Sequence, residues 1–245
     1  RPTIEGLERY SFTDYDYWKT AVSETPIRAT GKATTGPGGV ASFEVPAALQ
    51  ANEGAQQFTI SATVTDANAQ AVASSTQVTV HPAAVAAGIR PAEYVAIAGE
   101  PSEIDLVAVD TEGAIVAGQP IVVRAYSRKW VTTKELTPDG ARRYRSEPVD
   151  TLVETLNATS GPDGSATATF TPAATGTYRL VAEVTDAKGR TARSATYLWV
   201  GGKGYASWRI TNDDAIALIA DKDSYEVGDS AEILVPAPFE NALGL

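Results

Sequence analysis

The chain has 245 residues, with 20 Lys+Arg against 30 Asp+Glu, a formal net charge of −10 and 43% hydrophobic residues. Such an apolar fraction belongs to globular protein rather than to a disordered chain. The acidic balance argues against a nucleic-acid or anionic-membrane partner, because phosphates demand a basic face. Cys is absent, which removes disulfides, thiolate metal sites and cysteine nucleophiles from this stretch. Met is absent too, and the reading is of a processed chain or an excerpt. No apolar run approaches the ~18 residues of a membrane span, and no basic-then-apolar leader opens the chain.

In chain order, the first strong signal is a glycine turn, Gly36-Pro37-Gly38-Gly39, followed by Phe43 and Pro46. Residues 44–55 hold one helical turn at most. Phe58, Ile60, Ala62 and Val64 then alternate with Thr59, Ser61 and Thr63. That period of two predicts a strand with one face toward a core. Asp66-Ala67-Asn68-Ala69 reads as a hairpin turn before a second strand that ends near Val80. The linker Val80-His81-Pro82-Ala83 is short, and Pro82 favours an extended backbone.

A second set of strands follows. Ile104, Leu106 and Ala108 alternate toward Asp110, a turn falls at Thr111-Glu112-Gly113, and Ile121, Val123 and Ala125 resume the pattern. Residues 131–160 are polar and carry Arg142, Arg143 and Arg145 beside Glu147 and Asp150. Tyr144 and the Val149–Leu156 run point to an added hairpin there, since a loop of ~30 residues inside a compact domain would be unusual. After the turn Gly161-Pro162-Asp163-Gly164 come Tyr178, Leu180, Ala182 and Val184, then the turn Asp186-Ala187-Lys188-Gly189, where Gly189 is free to take positive φ.

The chain repeats itself. Residues 58–80 align with 178–200 without a gap, with eight of 23 positions identical, including Val64-Thr65-Asp66-Ala67 against Val184-Thr185-Asp186-Ala187. The glycine turns at 36–39 and 161–164 echo each other upstream. Gly99-Glu100-Pro101-Ser102-Glu103-Ile104 is echoed by Gly228-Asp229-Ser230-Ala231-Glu232-Ile233, each preceded by a tyrosine, Tyr94 and Tyr225. These repeats predict three modules: a partial one over 1–82, a complete one over 83–201, and a linker with the start of a third over 202–245. Short strands with turns between them, and no sustained helical periodicity, predict an all-β chain of tandem immunoglobulin- or fibronectin-III-like β-sandwiches. Gly201-Gly202-Lys203-Gly204 reads as a flexible linker and hinge, with Tyr205 and Trp208 packing on a neighbouring module.

The ordered set Gly88-Ile89, Gly99-Glu100-Pro101, Trp130, Gly161–Gly164, Pro172, Gly176-Thr177-Tyr178, Val184-Thr185-Asp186 and Leu198-Trp199-Val200-Gly201 resembles a macroglobulin-like domain of bacterial alpha-2-macroglobulins. Ala217 to Asp229, with Val235-Pro236-Ala237-Pro238-Phe239 after it, resembles that family's approach to the domain bearing the bait region. The resemblance implies consecutive β-sandwiches from a protease inhibitor of the entrapping kind, exported to the periplasm or cell surface. It implies proteases as partners, met through the whole inhibitor, with the bait segment beyond Leu245. A thioester, which many members use, needs a Cys that this chain lacks. The alternative left open by the residues is an immunoglobulin-like stalk of a bacterial surface adhesin or secreted enzyme.

No residue set carries an enzyme reading, a cofactor, a metal or a small-molecule substrate. His81 is the sole His, set before Pro82 in a linker, so a catalytic triad or imidazole metal pair has no second member. Asp110-Thr111-Glu112-Gly113 and Asn212-Asp213-Asp214 are the acidic clusters nearest to an oxygen-only calcium site, and both read first as solvated turns. Arg142-Arg143-Tyr144-Arg145 reads as a solvated loop offset by Glu147 and Asp150, or as a dock for an acidic partner. Trp130, Trp199 and Trp208 read as core or inter-module packing, or as a sugar platform. Asn157-Ala158-Thr159 fits a glycosylation acceptor. Open strand edges on partial modules predict dimerisation or strand exchange.

Overall fold

The computed structural model describes residues 4–16, 18, 27–49, 54–136, 142–202, 206, 208, 209, 216, 218–222 and 224–236. The described residues contain strands and no helix. Residues 44–49 take no helical turn, and 50–53 lie outside the description.

Eight strands build one sandwich between Val85 and Gly201. They are β3 (Val85–Pro91), β4 (Val95–Ile97), β5 (Ser102–Asp110), β6 (Pro120–Leu136), β7 (Arg142–Thr159), β8 (Ser165–Phe170), β9 (Gly176–Thr185) and β10 (Thr191–Gly201). Before them, β1 (Gln56–Thr65) and β2 (Ala71–Val80) form a separate antiparallel ribbon. After them, β11 (Ile219–Ala220) pairs with β12 (Ile233–Leu234). The sandwich has a five-stranded sheet in the order β4-β10-β9-β6-β7 and a three-stranded sheet in the order β3-β5-β8. This is the all-β sandwich that the alternation and turns indicated.

The core lies where that alternation places it. Ile104, Leu106 and Ala108 from β5 meet Ile121, Val123 and Ala125 from β6 and Leu180 and Ala182 from β9, all at most 1% exposed. Tyr178 stacks edge-on against Phe170 with centroids 5.3 Å apart. Its hydroxyl stays bonded by donating to the carbonyl of Ala174 at 3.0 Å, so a polar atom enters the core without losing a partner. The expected hairpin within 131–160 is present. β6 and β7 pair from Pro120–Thr159 out to Leu136–Arg142, with a bulge at Val153 where Ala125 faces Glu154 and Tyr126 faces Leu152.

Equivalent turns close the hairpins. The Asp186 amide donates to the Arg190 carbonyl (2.9 Å) and the Gly189 amide to the Asp186 carbonyl (2.9 Å); Asp66, Gln70 and Ala69 repeat this at 3.0 and 3.1 Å. The glycine turns match as well. Gly161 and Gly164 bond as Gly36 and Gly39 do, the last residue of each at positive φ. The third region also repeats the second. Ala92 N–H to Glu103 O (2.9 Å) becomes Asp221 N–H to Glu232 O (3.0 Å), and the pairs Arg90–Asp105 and Pro91–Ile104 become Ile219–Leu234 and Ala220–Ile233.

One expectation differs. The apolar face of β1 does not enter a core: Ile60 is 38% and Val64 60% exposed, and Val72 of β2 is 74% exposed. The hairpin forms because its turn and ladder are local. Burial needs an opposing sheet, and the described residues place none there.

Candidate interaction site: an arginine clasp under an acidic strap

Alternation along three adjacent strands sets a row of arginines on the outer face of the five-stranded sheet. β6 contributes Arg124 and Arg128, β9 contributes Arg179, and β10 contributes Arg193 beside Tyr197. Residues facing outward on a sheet normally meet water. Here a segment from the start of the chain, residues 4–16 with Trp18, crosses them as a strap.

The strap first covers the outer face of the three-stranded sheet. Phe12 packs on Val107 and Val109, with Ile4, Leu7 and Tyr10 around it. Gly88 makes the recess: a Cβ there would stand 2.6 Å from the Phe12 ring and 2.8 Å from Val107. Ser11 then exchanges two backbone bonds with Ile89, at 2.9 and 3.0 Å, on the free edge of β3. The carbonyl of Thr13 accepts from the amide of Ala195 at 3.0 Å, carrying the strap over the edge onto the other sheet.

There Asp14 and Asp16 meet the arginines. Arg179 pairs with Asp14. Arg128, 3% exposed, donates through Nε and Nη2 to the two carboxylate oxygens of Asp150, both at 2.7 Å, and through Nη1 to Asp16 at 2.6 Å. The fork geometry of a guanidinium suits this bidentate grip. The Tyr197 hydroxyl donates to Asp16 at 2.6 Å, and the Tyr15 and Tyr197 rings meet edge-on at 5.8 Å. Beyond them Trp18 stands edge-on to Trp130 at 5.6 Å, with Arg209 over both rings. Farther along the face, Arg124 and Arg193 share Glu183.

The electrostatics are mutually reinforcing. Burial disfavours the Arg128 charge, but hydrogen bonds from Asp150 and Asp16 outweigh it and hold the guanidinium above its ordinary range. Burial pushes Asp16 up, while Tyr197 and Arg128 together pull it below the usual carboxylate range. Burial and donation to Asp16 push the Tyr197 phenol up, so it stays a neutral donor. A second tie sits at the turn between β9 and β10. Asp186 accepts from the Ala84 amide (3.0 Å), the Lys188 and Arg190 amides and the Arg190 guanidinium, and these bonds hold its carboxyl far below the ordinary range.

The residues singled out in the sequence do not converge. His81 lines a small cleft with Phe12, Pro82, Asp110 and Arg193. Asp110 Oδ1 is taken by the amides of Glu112 and Ala114 in its own turn. Asn212, Asp213 and Asp214 lie outside the described residues, as do Lys203, Gly204 and Tyr205. Arg145 pairs with Glu147 at 2.8 Å on an exposed strand rather than in a loop, whereas Asp150, expected to offset that basic run, serves Arg128 instead. The tryptophans divide between two pairs, Trp130 with Trp18 and Trp199 with Trp208 at 6.1 Å. Asn157 is exposed on β7. The strap is absent from the sequence reading; the sequence carries only its parts, the acidic–aromatic run Phe12-Thr13-Asp14-Tyr15-Asp16 and Arg124 and Arg128 four residues apart on one face of β6.

Sandwich, strap and repeated openings define a class, tandem macroglobulin-like β-modules. Residues 88–202 match the family model described as bacterial macroglobulin domain 6. A curated alpha-2-macroglobulin homolog from Nostoc sp. is 24% identical over 186 residues, covering 76% of this chain and 10% of its own length. A Salmonella alpha-2-macroglobulin reacted with methylamine superposes at TM-score 0.53 and 17% identity over 96% of this chain and 15% of its own. An Escherichia coli alpha-2-macroglobulin activated by porcine elastase gives TM-score 0.44 and 18% identity over 68% of this chain and 14% of its own. Residues 88–202 are thus similar to a bacterial macroglobulin domain, and the resemblance of the chain to the bacterial alpha-2-macroglobulins is borne out. The chain spans about a tenth of the length of the curated relative.

Proposed function

We propose that this chain is a non-catalytic scaffold segment of an alpha-2-macroglobulin-like endopeptidase inhibitor, exported to the periplasm or cell surface, that traps proteases after bait cleavage. The match of residues 88–202 to bacterial macroglobulin domain 6 carries the reading. The boundaries are 1–82, 83–201 and 202–245, and the repeated hydrogen bonds at Asp66 and Asp186, and at Ala92 and Asp221, support them. Proteases are the partners, engaged by the whole inhibitor.

The mechanism available to this segment is mechanical. A dry sandwich is close-packed and transmits displacement as a rigid body. Asp186 ties the turn between β9 and β10 to the linker at Ala84, and the strap holds the outer face, so residues before β3 move with the sandwich. Gly201 ends β10, paired with Ile97 of β4 and accepting from the Ala98 amide at 3.0 Å, and Gly202 after it sits at φ 144°. The glycine-rich sequence at 201–204 supports a hinge there. The test is small-angle scattering of the parent polypeptide before and after limited proteolysis, with protease activity assayed on a protein and on a short peptide. A trap changes shape and blocks the protein substrate more than the peptide. Unchanged scattering with no inhibition removes the reading.

A further inference from the structure

We infer that the outer arginine face of the sandwich is a docking site for an acidic–aromatic segment, and that residues 12–16 are an exchangeable occupant of it rather than part of the sandwich fold. The inference stands apart from protease trapping. Three observations carry it.

The sandwich closes its core without the strap. Among the described residues, none before Ala83 belongs to the main core cluster, and Phe12 packs in a separate cluster on the outer face of β5. The receptor is also prepared from within. Asp150 fixes Arg128 through two bonds of 2.7 Å, which orients its remaining nitrogen toward Asp16, and Tyr197 presents its hydroxyl to the same oxygen. Preorganised groups spend less entropy on capture. Finally, the strap is held as a ligand is held. Its backbone meets the sandwich at Ser11, at Thr13 and at the Tyr15 carbonyl, which accepts from the Tyr197 hydroxyl at 3.1 Å, not along a ladder; side chains sit in defined places: Phe12 in the Gly88 recess, Asp14 on Arg179, Asp16 on Arg128 and Tyr197.

The geometry states what fits. The recess takes one aromatic ring. Two carboxylates must follow at an interval of two residues, because Arg179 and Arg128 sit on neighbouring strands of one face. A basic or purely apolar segment would leave Arg179 without the Asp14 carboxylate and one Arg128 nitrogen without Asp16, while covering both, which is unfavourable. The face therefore selects segments of the form aromatic-x-Asp-x-Asp, and the strap is how the residues before β1 are coupled to the sandwich.

The test uses the full chain and a labelled peptide of residues 4–18. In a chain carrying Phe12→Ala, Asp14→Asn and Asp16→Asn, the resident strap is weakened and the peptide binds saturably. Wild-type chain, its dock filled, binds it at least tenfold more weakly. A peptide with Asn at both Asp positions loses at least tenfold, and Arg179→Gln in the weakened chain does the same. Absence of saturable binding by a folded variant, or equal binding of both peptides, overturns the proposal. Hydrogen exchange on the wild type decides independently of variant folding. The amides of Ser11, Ile89 and Ala195 exchange at least a hundredfold faster than that of Leu180 if the strap detaches from a folded sandwich; equal rates show that it opens only with the core, and the proposal fails.

Discussion

The β1–β2 ribbon and the β9–β10 hairpin are the same object in two surroundings. Each strand of the pair has its counterpart in the same register, Phe58 opposite Val78 and Tyr178 opposite Leu198, and each turn is an aspartate whose Oδ1 accepts two amides. Yet Leu180 is fully buried and Ile60 is 38% exposed, and Val184 is 1% exposed against 60% for Val64. The difference separates two causes that act together in most sheets. Turn chemistry and ladder pairing are local and set the hairpin in both places. Burial is non-local, coming from β3, β5 and β8 above β9 and from nothing equivalent described above β1.

Substitution at matched positions gives the largest expected contrast. Leu180→Ala opens a cavity in a closed core and should cost about 2–5 kcal/mol. Ile60→Ala removes a side chain already in water and should cost under about 1 kcal/mol. Urea unfolding of the two variants measures the gap. Equal losses would mean that the ribbon face is covered in solution, by a second copy joining through the open edges of β1 and β2.

The outer face extends the contrast, because β9 is covered on both sides while the ribbon lies open. Arg128→Ala strands Asp16 and Asp150 without their shared cation and should destabilise by about 3 kcal/mol. Replacing Arg128 with Met while changing Asp150 to Leu should recover only the part of that loss due to Asp150, since Asp16 still lacks its cation. Thermal unfolding of the single and paired variants checks both. A single variant as stable as wild type would show that the clasp contributes nothing measurable.

At the turn the contrast reverses. Gly189 takes φ 76° without cost, whereas its counterpart Ala69 takes φ 61° against the steric preference of an L-residue. Ala69→Gly should raise the stability of the ribbon by a few tenths to about 1 kcal/mol, and Gly189→Ala should lower that of the sandwich by about 1 kcal/mol. Amide exchange within each hairpin reads the two effects separately. A loss of protection in β1 on Ala69→Gly would contradict the strain assignment.

These pairs also show what the sequence discloses. Alternation at Ile104, Leu106 and Ala108, at Ile121, Val123 and Ala125, and at Tyr178 to Val184 locates the core directly, because inner-face residues must be apolar whatever covers them. The turns are equally legible, since Asp and Gly at fixed spacing answer to local geometry. The clasp was not legible, for a physical reason. An arginine on an outer face reads the same whether it meets water or a carboxylate 112 residues away, as Arg128 meets Asp16. The ribbon failed in the opposite sense: Ile60 and Val64 carry the pattern of a core face, and the pattern holds no record of whether the second sheet is present.

The smallest effect tests the last difference between the hairpins, the added ties of Asp186. Both turn aspartates accept two amides, but Asp186 also reaches the Ala84 amide and the Arg190 guanidinium, which hold its carboxyl far below the ordinary range. A carboxyl depressed in the folded state gives stability that is complete above its unfolded pKa, about 4 for aspartate, and that is lost as the pH falls toward the folded value. Asp16, depressed by Tyr197 and Arg128, contributes with the same sign. Stability should therefore be flat from neutral pH down to about pH 4 and decline below it. Asp186→Asn should leave a shallower decline in that acid window, because the amide carries no titrating charge; its single oxygen keeps the two turn amides at Lys188 and Arg190, and the bond to Ala84 is lost. Thermal midpoints across the window, measured on the variant and the wild type together, test this. An identical acid slope would assign the pH dependence to other depressed carboxyls, Asp16, Asp163 and Asp221 among them, and leave the Ala84 tie as an ordinary hydrogen bond.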